Sequence, residues 1–153
     1  MIKDRPRRLD RIFSRTPLYF ITFCARDRQK IHDLHRLAAG FRDYCTRAAG
    51  KHNVAVGRYV IMPDHIHLFV RGGLDFTLGR WVGALKQALA KVPALWRPKT
   101  QIWQEGFFDH VLRSDESYSE KWNYVRENPA RAGFVHSAAD WPYQGEIVYI
   151  DRA

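Results

Sequence analysis

Two short segments hold the residue types from which a phosphoryl-transfer site can be built. The first is VIMPDHIHLFV, residues 60–70. Side chains of a strand alternate between its faces, so Ile66, Leu68 and Val70 turn one way while His65 and His67 share the other face. Two neutral imidazoles on one strand face can hold a divalent ion. An H-x-H pair alone recurs by chance, and two half-exposed histidines on a sheet are the plain structural alternative.

The second segment is SYSEKWNYVRENP, residues 117–129. Tyr118, Trp122 and Val125 are spaced i, i+4, i+7 and form the packing stripe of a helix. At about 100° per residue, Tyr124 lies about 120° around the helix from Tyr118. Asn128 follows one turn later on the same side as Tyr124, and Lys121 flanks that face. A surface tyrosine of an amphipathic helix would look the same in isolation. Taken together, the two segments offer a hydroxyl nucleophile, two imidazoles and a carboxamide oxygen, an inventory suited to covalent tyrosine catalysis.

The surrounding chain supplies elements to hold these groups. LYFITFCA (18–25) is aromatic and β-branched, as a buried strand is. A helix is expected at 34–52, where Leu37, Phe41, Tyr44, Cys45 and Ala48 recur at helical spacing. VAVGRYVIM (54–62) and HIHLFV (65–70) are strands joined by Pro63-Asp64, hence an antiparallel hairpin. A second helix is expected at 78–95 with Trp81, Leu85, Ala88, Leu89 and Val92 on one stripe, and FFDHVLR (107–113) reads as a fourth strand. Ser117 opens a third helix with a capping-box spacing to Glu120. That helix should stop near Asn128, because the residue before a proline is pushed out of the α region. The tail, 130–153, carries a short strand at 146–150 and an aromatic clamp of Trp141 and Tyr143. The order βαββαβ is that of a ferredoxin-like (RRM-like) α+β sandwich with two helices on one face of an antiparallel sheet and the other face open.

The chain has 153 residues, a length that favours one domain. Its 25 Lys and Arg against 16 Asp and Glu give a net charge of +9, which favours a polyanionic partner such as nucleic acid. Arg5, Arg7, Arg8 and Arg11 lie in residues 1–16, either an arm along a phosphate backbone or a frayed terminus. Two cysteines, Cys24 and Cys45, make no disulfide framework and are expected as buried or half-buried thiols. No apolar run has the length of a membrane span or the pattern of a signal peptide. The expected location is therefore cytoplasmic, at the nucleoid when DNA is bound.

YVIMPDHIHLFV followed by WQEGFFDHVLRSDESYSEKWNYVRENPARAGFV resembles the single-tyrosine HUH transposases, and more narrowly the REP-associated tyrosine transposases. The likeness runs from the first strand to about Val135. It implies a ferredoxin-like fold, with a catalytic helix and C-terminal tail added, and single-stranded DNA with hairpin-forming repeats as substrate. It also implies Tyr124 as nucleophile, forming a 5′-phosphotyrosine, and Mg²⁺ or Mn²⁺ held by His65, His67 and Asn128. Where such proteins commonly have Asn before the first histidine, this chain has Asp64, read here as a turn cap rather than a further ligand.

A tyrosine with its ordinary pKa near 10 needs a proton acceptor, and His110 and Glu127 are the candidates. Lys121, Arg113, Arg126 and Arg131 are candidate phosphate contacts, with solvated surface charge as the alternative. Trp103 and Phe107 are candidates for stacking on bases or for core packing. His32, His35, His52 and His136 receive no role. Two other functions compete: a non-catalytic nucleic-acid-binding module, disfavoured by the absence of an RRM signature, and a metal-dependent phosphodiesterase that uses water. A monomer is expected because Tyr124 and Asn128 share a helix that the tail can hold down, with a dimer as the alternative.

Overall fold

The computed structural model describes residues 16–92, 101–113 and 117–150. Five strands form one antiparallel sheet: β1 (Tyr19–Cys24), β2 (Val54–Met62), β3 (His65–Gly72), β4 (Phe108–Val111) and β5 (Gln144–Glu146), in the spatial order β4-β1-β3-β2-β5. The first four strands carry the ferredoxin-like order, and β5 extends the sheet beside β2. The arginines of the expected basic arm, Arg5, Arg7, Arg8 and Arg11, lie outside the described residues.

Helices α1 (Leu34–Lys51) and α2 (Leu78–Ala90) cover one face. Asp33 caps α1 by accepting a hydrogen bond from the Arg36 N–H at 3.0 Å. The stripe Leu37, Phe41, Cys45 and Ala48 meets Trp81, Val82, Leu85 and Leu89 of α2 over Ile21, Phe23, Ile66, Leu68 and Val70, all buried in one cluster. Both cysteines are free and buried, and burial pushes the Cys45 thiol up. The second helix is expected to reach residue 95 but its helical turns end at Ala90; residues 93–100 are outside the described ones.

The other face is not open, as the simple sandwich predicts. Helix α3 (Tyr118–Val125) and the tail cover it, burying Val60, Met62 and Phe69 beneath Tyr118, Trp122, Val125, Trp141 and Ile150. Tyr118 stacks on Phe69 with ring centroids 4.6 Å apart, and the Trp122 edge meets the same ring at 6.4 Å. The reason is legible at Val56 and Tyr59, three residues apart yet both in the helix-covered core. A register shift between them inserts an extra residue into β2. The Arg58 N–H that this bulge releases donates to the Tyr118 hydroxyl at 2.7 Å. Gly57 is required there, because a Cβ would collide with that hydroxyl.

Ser117 caps α3 as its spacing predicts, accepting from the Glu120 N–H at 3.2 Å. The helix ends a little before the expected Asn128. It breaks after Val125, and a short α4 (Asn128–Arg131) begins afresh with Pro129 in its first turn, where a missing N–H costs nothing. The tail's strand lies at Gln144–Glu146 rather than 146–150, although the Ile147 and Val148 N–H groups still bond to Gly57 and Val56. The clamp is as expected: Trp141 meets Tyr143 edge-on at 5.3 Å, and its indole N–H donates to the Ile61 carbonyl at 3.0 Å.

Candidate active site

The β2–β3 turn is fixed before any side chain is considered. The N–H groups of Ala25 and Ile31 donate to the Asp64 and Pro63 carbonyls, each at 2.8 Å. From that turn β3 starts at His65, and alternation sets His65 and His67 on the α3 side, their ring centroids 4.7 Å apart. Register places Cys24 and Thr22 of β1 directly across from them.

Each imidazole is held through Nδ1. His65 Nδ1 lies 2.7 Å from Asp64 Oδ1, and His67 Nδ1 lies 2.7 Å from Thr22 Oγ1. Partial burial works to raise the Asp64 carboxyl, but His65 and Arg28 outweigh it and hold it below the usual carboxylate range. Ionised Asp64 only accepts, so His65 Nδ1 carries the proton and the Nε2 lone pair is left for another partner. Burial also lowers His65, despite the opposing pull of Asp64. His67 falls to about 3, chiefly by burial, then through the positive field of His65, Arg28, Arg131 and Lys121. Both rings are therefore neutral at physiological pH. A hydrogen bond at the other nitrogen is the usual outer support of a ligand histidine, and the Asp64 carboxylate, expected as a turn cap, makes a bond of that kind to His65.

Arg28, which sequence reading passed over, completes this support. Asp27 and Arg28 both adopt φ of 54°, an uncommon conformation for such residues. The turn they make carries the Arg28 guanidinium to Asp64 Oδ2 at 2.9 Å and to Cys24 Sγ at 3.1 Å. No pattern in the sequence announces that turn. Thr22 did leave a signal, since it is the polar member of the Phe20, Thr22, Cys24 alternation in an otherwise apolar strand.

On the other side stands α3. Lys121 Nζ lies 5.2 Å from the centre of the Phe20 ring, which itself stacks on His67 at 5.5 Å. Tyr124 is 68% exposed although its helix is anchored by Tyr118, Trp122 and Val125. Arg131 ties the nucleophile candidate to the amide candidate. Its guanidinium lies 4.6 Å over the Tyr124 ring, and it donates to the Tyr124 carbonyl at 2.8 Å and to Asn128 Oδ1 at 3.0 Å.

The structure thus sets His65 beside His67 and brings the positive field of Lys121 and Arg131 to His67, while Arg131 binds both Tyr124 and Asn128. Among the described residues no group of three or more His, Cys, Asp or Glu is placed to hold a metal ion. Arg126 is half-buried, and its Nε meets no hydrogen-bond partner among the described residues. Arg113 is exposed beyond β4. His110 sits across from Phe20 in β4, on the site's side of the sheet, whereas Glu127 precedes α4 on the surface. Trp103 is a core residue, its ring edge against Phe23 at 4.9 Å, and Phe107 packs against the same core. The exposed aromatic is Phe108, one position on. A cavity of about 590 Å³ lined by Tyr44, Phe76, Arg80 and Trp81 does not include the histidines.

The sequence model described as "Transposase IS200 like" matches residues 16–128, from the start of the described fold to Asn128. The chain belongs to the IS200-like transposase family. This makes it a DNA-processing enzyme by family. It is 28% identical over 144 residues to a Haemophilus influenzae protein named as a REP-associated tyrosine transposase, covering 87% of this chain and 81% of that one. A REP-associated tyrosine transposase of Escherichia coli is 29% identical over 91 residues, 58% of this chain and 52% of the other. The fold is similar to that of a REP-associated tyrosine transposase solved bound to a REP hairpin, with a TM-score of 0.68, 18% identity and coverage of 89% and 90% of the two chains. A transposase structure from Deinococcus radiodurans aligns with a TM-score of 0.55 at 19% identity, covering 83% and 97%. No helix among the described residues is long and apolar enough to cross a membrane.

Proposed function

We propose that this transposase cuts and rejoins single-stranded DNA at hairpin-forming repeats, with Tyr124 as the nucleophile. The observation that carries the reading is an exposed phenol on an anchored helix, with Lys121 of that helix and Arg131 of α4 directing positive charge toward His67. An exposed tyrosine on a loose helix would carry no such weight. The relatives named for REP elements, and the neighbour bound to a REP hairpin, support the choice of substrate.

Two neutral imidazoles, with the His65 Nε2 lone pair left free by Asp64 and the His67 Nε2 likewise free where Nδ1–H donates to Thr22, fit a divalent ion, and a nitrogen-rich donor set suits Mn²⁺ better than Mg²⁺. Held by His65 and His67, with Asn128 as the amide ligand, such an ion would neutralise charge on the scissile phosphate. The remaining work belongs to the chain. Tyr124 Oη forms a bond to phosphorus while the bond from phosphorus to the 3′ oxygen breaks. The phenol proton passes to a base, for which His110 and Glu127 are the candidates, and the leaving oxygen takes up a proton as a 3′-OH. Lys121 and Arg131 supply fixed positive charge where negative charge accumulates. The phosphotyrosine ester keeps its reactivity, so a 3′-OH can reverse the step. We read the nucleophile as acting in its own subunit, supported by the Lys121–Phe20–His67 stack within one chain.

The test is a denaturing gel with end-labelled hairpin oligonucleotides from repeats beside the gene, with Mn²⁺. A label that migrates with the protein and vanishes in Tyr124→Phe is the expected result. Cleavage with no protein-linked label would replace this reading by hydrolysis with water. Binding without cleavage by the wild type would leave only a DNA-binding module.

A further inference from the structure

We propose that the cavity beside Thr22 is a pocket for one unpaired nucleobase of the strand being cut, with Phe108 as its stacking surface. The proposal rests on the reading of the histidine face as a single-stranded DNA site, and adds to it a place where that strand is held by a base. The cavity, about 200 Å³, is walled by Thr22, Cys24, Gln104, Glu105, Gly106 and Phe108. Its volume lies below the roughly 300 Å³ at which pockets for drug-sized ligands begin, so it suits a fragment of the size of a single base. Thr22 is common to the cavity and to the histidine pair, since its hydroxyl holds His67 at 2.7 Å. In the sheet, His67, Thr22 and Phe108 lie side by side across β3, β1 and β4.

The wall is built, not incidental. The Lys86 ammonium donates to the carbonyls of Gln104 and Gly106, both at 2.8 Å, and the Gln104 N–H donates to the Cys24 carbonyl at 2.9 Å. Gly106 turns the chain at φ of +80° before Phe107 enters the core. No Lys or Arg is among the lining residues, where Phe23, Phe107 and Phe108 join Thr22, Gln104 and Glu105. Such a lining offers a phosphate no cation and fits an uncharged, flat, polar-edged group. Phe108, 68% exposed, presents a ring for stacking at the same place. One exposed aromatic alone means little. Joined to a concave, pinned wall without a lining cation beside the candidate metal ligands, it has the makings of a base platform. Phosphates would then run past Lys121 and Arg131 while one base turns toward β4.

The experiment scans 2-aminopurine through the single-stranded foot of the hairpin oligonucleotide, bound to full-length Tyr124→Phe protein so that the strand stays intact. One position should change in fluorescence, and that change should disappear with Phe108→Ala and persist with Phe108→Trp. At that position an abasic nucleotide should weaken binding about 5- to 150-fold, the range of one lost base–aromatic stack. In the Phe108→Ala background the same abasic site should cost almost nothing more. Additive losses, or a Phe108→Ala effect equal at every position, would overturn the pocket. If the wild type still forms the covalent adduct while no position responds, the pocket alone is wrong. If it forms no adduct, the parent reading fails, and the fluorescence scan still decides whether a base is held here.

Discussion

Replacing Thr22 with valine removes one hydroxyl and nearly nothing else. Valine keeps the branched shape and the strand preference of β1. His67 Nδ1, however, loses its partner at 2.7 Å in a ring that burial and neighbouring cations keep neutral. A neutral hydrogen bond contributes about 1 kcal/mol net, and a buried group left unpaired costs about 1–3 kcal/mol. Unfolding free energy should therefore drop by about 1–3 kcal/mol. The larger consequence is orientation, since the ring would keep its stack on Phe20 but lose the bond that fixes which nitrogen points outward. Loss of such an outer hydrogen bond typically costs 10- to 100-fold in metal affinity or activity. Calorimetric titration of Mn²⁺ without DNA, alongside urea melts, separates the two effects. Thr22→Ser restores the hydroxyl and should regain metal affinity while losing about 0.8 kcal/mol for the missing methyl. If Thr22→Val melts earlier yet titrates Mn²⁺ like the wild type, Thr22 is packing only and the imidazole-orientation reasoning is refuted.

Two further outcomes follow from the same geometry. The folded pKa of His67, about 3, lies below its unfolded value near 6.5, so between these limits the unfolded state binds more protons. Stability should then rise with pH from about 3 to 6.5 and level off above, with a slope of at most about 1.4 kcal/mol per pH unit from this group. His67→Gln should flatten that part of the profile in urea melts, and an unchanged slope would show that the ring is not held neutral by its surroundings. Tyr118→Phe strands the Arg58 N–H at the β2 bulge, and should cost about 1–3 kcal/mol. A thermal melt within error of the wild type would mean that water replaces the hydroxyl there.

The histidine pair and the tyrosine helix were legible because alternation and helical spacing act locally. Strand period 2 put His65 and His67 together without any knowledge of the sheet, and the capping box located the start of α3. What sequence could not show were contacts between distant segments. Arg28 reaches Asp64 only because two successive residues adopt positive φ, and neither is glycine. Expecting helix to end before Pro129 applied a sound local rule, but a helix can restart there with the proline in its first turn. For Trp103 and Phe107 the second of the two expected roles, core packing, holds. Within FFDHV the alternation assigns Phe107 inward and Phe108 outward once either is fixed, and only the packing of Phe107 against the core fixes it.

The second face of the sheet carries two duties that usually exclude each other. A core wants dry apolar contacts, and a site for DNA wants polar groups with access to solvent. The chain separates them along β3 within a few residues. Phe69 is sealed under Tyr118 and Trp122, whereas His67, two residues earlier, is covered only by Phe20 and flanked by Lys121. Helix α3 serves both ends: its packing stripe closes the core, and Tyr124, about a third of a turn away, projects outward because that stripe is fixed. The nucleophile proposed above must be held near its target to gain from proximity, and the hydrophobic burial of Tyr118, Trp122 and Val125 is what holds the helix that carries Tyr124. Arg131 then narrows what burial leaves free, stacking on the phenol ring and binding the carbonyl beneath it. The same guanidinium occupies Asn128 Oδ1.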